Sequence, residues 1–306
     1  MKEPNFKGIV DFLKRFPTEE SCIEYLINAR WDDKPICPHC DSSRKIYKIK
    51  NGKILTCADC RKQFTVKVGT IFEDSALPLQ KWFMAIYILT AHKKGISSLQ
   101  LSRDINVTQK TAWFMLHRIR FAVKTKTFYT PLMGTIEADE TYIGGKIRGG
   151  KVGRGSENKT AVFGMIQRKG NVRCMPVKDV TAKTLQGIIG DHVGLGSTIM
   201  TDEWHSYNGL CIDYTHKRIG HLKKQYVKGG THTQNIEGFW SQMKRGINGI
   251  YHAVSPKHLE RYCDEFAYKH NTRKVNDSQR FASTLGLVDC RLTYKNLISE
   301  KDSSGQ

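Results

Sequence analysis

The sequence predicts an α/β protein with smaller modules ahead of its main α/β domain. Three patterns point there. Apolar residues recur at helical spacing over residues 1–30 and again over 77–126. Between them, residues 31–72 alternate like short strands and hold two Cys-x-x-Cys pairs. From Gly134 onward the chain turns to strands and glycine-rich loops, then ends in helices. This order divides the chain into N-terminal helices (1–30), a cysteine module (31–72), a helical segment (77–126), an α/β domain (133–290) and a tail (291–306). Pro131 breaks the helical pattern ahead of the α/β domain.

In the first block, Phe6, Ile9, Val10, Phe12 and Leu13 fall at helical spacing. A second helix runs from Glu19 to Ala29, started by Thr18-Glu19-Glu20-Ser21 after Pro17. In the next block, KIYKIK and KILTC flank Asn51-Gly52, a dipeptide that fits a type I′ hairpin turn. Cys37-Pro-His-Cys40 and Cys57-Ala-Asp-Cys60 stand sixteen residues apart. Each Cys-x-x-Cys turn points two thiolates at one ion, and the hairpin brings the two turns together. Cys37, Cys40, Cys57 and Cys60 thus predict a tetrahedral site for one zinc ion. Four protein ligands leave no open position, so the zinc is structural. Cys22, Cys174, Cys211, Cys263 and Cys290 lack partners at ligand spacing and read as small packing residues.

In the helical segment, Ser97 or Ser98 can cap a helix carrying Leu99, Leu101 and Ile105. Asn106 suits a tight turn, and Thr108 can cap a second helix with Ala112, Met115, Leu116 and Ile119 as its apolar stripe. This is the layout of a helix-turn-helix, whose second helix enters the major groove of DNA. An ordinary helical hairpin with a solvated basic face has the same pattern. On the first reading Gln109, Lys110, Trp113, His117 and Arg118 face DNA, with Lys110 and Arg118 as its direct contacts.

Charge supports a polyanionic partner: 49 Lys+Arg stand against 29 Asp+Glu, a net charge of +20. The longest apolar run, Trp82 to Ala91, is about half of the ~18 residues that a membrane span needs. The N-terminus has no continuous apolar core of a signal peptide. These features predict a cytoplasmic protein with no membrane partner.

In so basic a C-terminal half, acids at element ends stand out. Asp139 lies inside a strand pattern, and Asp202 ends the run Ser197-Thr-Ile-Met-Thr. Glu237 opens a helix with Phe239, Trp240, Met243 and Ile247 as its buried stripe, Asn235 as its cap, and Lys244 two turns further along the face of Glu237. An ionised carboxylate in or beside a strand is costly unless a cation neutralises it. Gathered together, the three acids suit two divalent ions acting on a phosphodiester, and their hard oxygens favour Mg²⁺ or Mn²⁺. Taken singly, each could equally cap an element or complement a helix dipole.

These segments carry a resemblance. DETYIGGK around Asp139, TDEWHSY around Asp202 and HTQNIEGFWSQMKRGINGIYH around Glu237 resemble the DDE transposases of bacterial insertion sequences, in the subgroup with an N-terminal zinc ribbon. FPTEESCIEYLINARW and CPHC extend the likeness over nearly the whole chain. The resemblance implies a ribonuclease-H-like mixed sheet flanked by helices, with the first two acids on neighbouring strands and the third on a helix. It implies Asp139, Asp202 and Glu237 as the catalytic, magnesium-binding set, and cleavage at element ends followed by strand transfer.

Two basic stretches complete the expectation. Gly144–Lys159 interleaves six glycines with five basic residues, among them Lys146 and Arg148, and lacks the Walker pattern. His216–Lys224 includes Lys223 and Lys224. Together with Lys244 and Arg245 these predict contacts to the DNA backbone. A solvated hairpin insertion is the plain alternative for the first. The expected protein binds transposon ends and target DNA as a homodimer or higher oligomer, associates with the nucleoid, and takes no small-molecule substrate. The rival is a non-catalytic zinc-ribbon DNA-binding protein, either a regulator or an inactive transposase; a simple nuclease of the same fold would cut without joining.

Overall fold

A computed structural model describes residues 4–50, 52–124, 130–144, 159–219 and 232–299. The basic residues Lys146, Arg148, Lys223 and Lys224, and the turn residue Asn51, lie outside that range. The chain forms two compact units, residues 1–125 with 273–306, and residues 126–272.

In the first unit, local cap chemistry sets the helix ends. Thr18 opens α2 (Glu19–Trp31), after α1 (Ile9–Arg15). The Thr18 hydroxyl accepts from the Ser21 N–H, and Ser21 Oγ accepts from the Thr18 N–H, satisfying donors that a helix start leaves open. α3 (Leu79–Ala91), α4 (Ser98–Asp104) and α5 (Gln109–Lys124) follow. Ser97 caps α4, Asn106 turns the chain with φ 50°, and the Thr108 hydroxyl accepts from the Thr111 N–H. Two helices joined by a turn stand at 98–124, as both the helix-turn-helix and the helical-hairpin readings expect, except that Leu99 faces outward and leaves Leu101 and Ile105 to pack.

The sequence placed residues up to 290 in the α/β domain. Instead α9 (Asp277–Leu285) packs in the first unit. Phe281 is the reason: its ring meets Phe6, Phe12, Phe16 and Phe83 at 5.4–5.7 Å between centroids. The blocks 1–30 and 77–126 share this one core, which runs from Phe6 to Ala122 and takes in Phe281, Leu285 and Val288. A last short helix, α10 (Tyr294–Ile298), also belongs to this unit.

The cysteine module is an antiparallel sheet of β1 (Ile46–Ile49), β2 (Ile54–Cys57) and β3 (Gln63–Phe64). The Lys53 N–H donates to the Lys50 carbonyl across the hairpin turn. Its buried core is Leu55 and Phe64 with Cys37 and Cys57, too small to hold a module of about 40 residues by burial alone.

In the second unit, β4 (Thr135–Gly144), β5 (Lys159–Gln167), β6 (Val172–Val177), β7 (Thr198–Thr201) and β8 (Thr215–Arg218) form one sheet in the order β6-β5-β4-β7-β8. β5 runs antiparallel to both neighbours, whereas β4, β7 and β8 are parallel. This is the ribonuclease-H-like arrangement. Alternation along β4 serves both faces. Ile136 and Ala138 join Phe163, Leu185 and Ile189 on the side of α6 (Ala182–His192). Ile143 joins Val162, Trp240 and Phe266 on the side of α7 (Gln234–Gly246) and α8 (Pro256–Asn271). Among the described residues no helix is long and apolar enough to cross a membrane.

Candidate active site

Strand β4 carries the first acid. Asp139 points to the α7 side, where Trp240 Nε1 donates to its Oδ2 at 3.1 Å. The parallel register pairs Glu137 with Met200, so Asp202, two residues on, comes alongside Asp139. Asp202 follows the end of β7, and its Oδ1 accepts from the Trp204 N–H at 3.0 Å. The Trp240 ring rests over Gly164, which is the partner of Asp139 across β5. A Cβ at Gly164 would lie 2.5 Å from that ring, so only glycine leaves the tryptophan its place.

Burial, then the neighbouring carboxylates of Glu140 and Asp202, push the Asp139 carboxyl up to about 7. Glu140 lies on the other face of β4 and accepts from the Tyr207 hydroxyl at 2.6 Å. That bond fastens the segment after Asp202 to β4.

α7 is held by a second buried acid. Glu137 is fully buried, and its Oε2 accepts from the N–H groups of Asn235 (2.8 Å) and Ile236 (3.2 Å). Its Oε1 accepts from Asn235 Nδ2 (2.7 Å) and Arg168 Nε (2.8 Å). A carboxylate at a helix N-terminus satisfies open N–H groups and complements the helix dipole. The sequence made Asn235 the cap; Thr233 takes that position, and Asn235 stands in the first turn facing Glu137, whose two oxygens accept from both the backbone N–H and the Nδ2 of Asn235. The Thr233 hydroxyl donates to Glu237 Oε1 at 3.1 Å.

Glu237, Ser241, Lys244, Arg245 and Asn248 line one wall of a groove whose other wall includes Asp139 and Thr141. The structure thus brings Asp139, Glu237, Lys244 and Arg245 together, with Asp202 beside Asp139. The three carboxylates are not closed on one another. Among the described residues, the only three or more candidate ligand atoms within 4.8 Å of one another are the thiols of Cys37, Cys40, Cys57 and Cys60. Cys37 and Cys60 sulfurs stand 3.6 Å apart, as do those of Cys40 and Cys57. That is near the edge of a tetrahedron with Zn–S bonds of about 2.3 Å, so the residues fit a structural zinc.

In the first unit, Lys110 is exposed near the start of α5, its Nζ 5.4 Å from the centre of the Tyr294 ring. Arg118 departs from expectation. It is buried, its Nε donates to the Leu292 carbonyl, and its Nη1 donates to the carbonyls of Ile71 and Glu73. An arginine so engaged is a cross-link of the core and cannot reach DNA. His117 is buried as well.

Sequence reasoning missed Glu137, Glu140 and Gly164. Two further acids beside Asp139 in one strand were a usable signal. For Gly164 there was none, because its role depends on where Trp240 comes to rest.

Residues 131–271 match the ISXO2-like transposase domain, and residues 17–63 match the transposase zinc-ribbon domain. Over these two segments the chain is similar to the ISXO2-like transposases. An uncharacterized protein in transposable element ISH50 of Halobacterium salinarum is 28% identical over 275 residues, covering 83% of this chain and 91% of its own. An uncharacterized transposase-like protein of Haemophilus influenzae is 27% identical over 108 residues, 35% of this chain and 86% of its own. A pre-cleavage Mos1 transpososome aligns at a TM-score of 0.23 and 13% identity, over 62% of this chain and 73% of that one. A Mos1 transposase paired-end complex with the left transposon end aligns at 0.22 and 12%, over 67% and 78%. Likenesses that slight have no bearing on the fold. The three acids lie in the segment that matches the transposase domain, and the four cysteines lie in the segment that matches the zinc ribbon.

Proposed function

We propose that the chain binds the ends of its own insertion sequence, cleaves DNA there in a metal-dependent reaction and transfers the strand into target DNA. The observation that carries this reading is the groove, which Asp139 and Glu237 line together with Lys244 and Arg245, while the strand register brings Asp202 alongside Asp139. An acid pushed up by burial, and then by neighbouring carboxylates, is a position that divalent cations relieve. The all-oxygen set of Asp139, Asp202 and Glu237 suits Mg²⁺ or Mn²⁺. Two such ions, when bound, activate the attacking oxygen and stabilise the leaving one.

The chain's own side chains do the positioning. Trp240 orients Asp139, Glu137 fixes the first turn of α7, and Thr233 steadies Glu237. Lys244 and Arg245 take phosphates of the strand lying in the groove. Strand transfer is the same displacement at phosphorus with a DNA hydroxyl in place of water, so one site serves both steps. The zinc ribbon and the α4–α5 pair, through Lys110, recognise the ends. Holding two ends at once calls for a dimer or higher oligomer.

The test is incubation of the full chain with Mg²⁺ and DNA carrying the sequences that flank its gene. Cut and joined strands are expected. End-binding without cutting would instead support a regulator, and cutting without joining a nuclease.

A further inference from the structure

On the α6 side of β4, across the sheet from the acid groove, a second cavity opens. Lys159, Lys178, Asp179, Trp204 and His205 are among its lining. Trp204 ties it to the active site, being two residues past Asp202 with its N–H on that carboxylate. The segment that carries the second acid therefore also lines the cavity. We infer that this cavity receives one base of the DNA strand adjoining the cleaved phosphodiester, turned out of the helical stack onto Trp204. The inference rests on the function proposed above.

The chemistry of the walls chooses a base over a phosphate. Trp204 is half-buried: its indole packs partly on the core, its Nε1 lies 3.5 Å from the Val180 carbonyl, its remaining surface lines the cavity, and the His205 ring is 4.1 Å away between centroids. Aromatic faces hold bases of any sequence by stacking. Asp179 adds a fixed negative charge. Its Oδ1 accepts from the Thr181 N–H (3.1 Å) and from the hydroxyls of Thr181 (2.6 Å) and Thr184 (2.6 Å). Hydrogen bonds from Thr181 and Thr184 hold this carboxyl down to about 2, so it stays ionised at any working pH. An anion there repels a phosphate, which is left to Lys159 and Lys178. A base brings a ring for Trp204 and N–H groups for an acidic acceptor. A paired base cannot reach such a cavity without leaving the duplex.

Two readouts test this with the full chain. The first is metal-free binding of a fluorescein-labelled single-stranded decanucleotide to wild type, Trp204→Ala and Trp204→Phe, each checked by thermal melting. Trp204→Ala should bind roughly five- to hundredfold more weakly, the range that base–aromatic stacking spans. Trp204→Phe should recover most of the loss. The second is Mg²⁺-dependent cutting of end DNA. Trp204→Ala should lose at least tenfold on fully paired ends, and a mismatch at one base pair beside the cut should restore it, because that base is then easier to turn out. Unchanged oligonucleotide binding by Trp204→Ala overturns the inference, as does a cutting defect that neither phenylalanine nor any flanking mismatch relieves. If wild type binds the oligonucleotide but cuts nothing, the proposed reaction fails while the binding comparison still decides the cavity. If wild type binds no DNA, both fall.

Discussion

Asp139 carries the most direct electrostatic consequence of the structure. Its carboxyl is pushed up to about 7, so the folded chain holds that proton more tightly than the unfolded chain does. The stability from this proton is full below about pH 4 and is lost as pH rises through about 7. Without metal, Asp139→Asn should therefore be more stable than wild type at pH 8, by about 4 kcal/mol at most, and equal to it at pH 4. Hydrogen exchange in β4 measures the difference. His216, held down to about 4 by burial and then by Arg218, titrates with the opposite sign but is common to both chains. Mg²⁺ should stabilise wild type more at pH 8 than at pH 5, because the ion needs an ionised carboxylate. A pH-independent difference between the two chains would contradict the assignment. The sequence singled out Asp139, Asp202 and Glu237 because each ends or interrupts an element in a basic half-chain. It misplaced Asn235, because nothing local says that Glu137 will be buried under the start of α7.

At the scale of elements, the zinc ribbon and the helix pair make separate predictions. The ribbon's core is small, and structural zinc supplies on the order of 10 kcal/mol to such modules. Cys57→Ser should release the zinc and unfold residues 31–70 while leaving the sheet of the second unit protected, as read by elemental analysis with hydrogen exchange. Zinc-free protein with an intact ribbon would contradict this. For the helix pair, Lys110→Ala should weaken binding of end DNA and flatten the salt slope by about one phosphate contact. Arg118→Ala should instead lower the melting temperature, since it leaves the carbonyls of Ile71, Glu73 and Leu292 without their donor. DNA binding weakened by Arg118→Ala at unchanged stability would restore the original expectation. The helix starts at Thr18, Ser97 and Thr108 were legible because capping is local. The place of α9 was not, because it depends on Phe281 meeting phenylalanines from the other end of the chain.

Across the whole molecule, the net charge of +20, the zinc ribbon and a ribonuclease-H-like sheet suit work on a polyanion. The class of fold could be read from the order of patterns and the resemblance they carry. The division into two units could not, since the C-terminal segment returns to the first. The central claim is that Glu237 completes a metal-binding trio with Asp139 and Asp202. Two carboxylates bring two negative charges against the four positive charges of two divalent ions, and a third acid moves the site toward balance. The most direct measurement is Mg²⁺-dependent cutting of end DNA by Glu237→Gln and Asn235→Ala, with end-binding and melting temperature recorded for both. Glu237→Gln is expected to bind ends and melt like wild type yet cut nothing, whereas Asn235→Ala, losing one bond to Glu137, should be about 1–3 kcal/mol less stable and still cut. Cutting by Glu237→Gln, with Asn235→Ala inactive at unchanged stability, would contradict the claim.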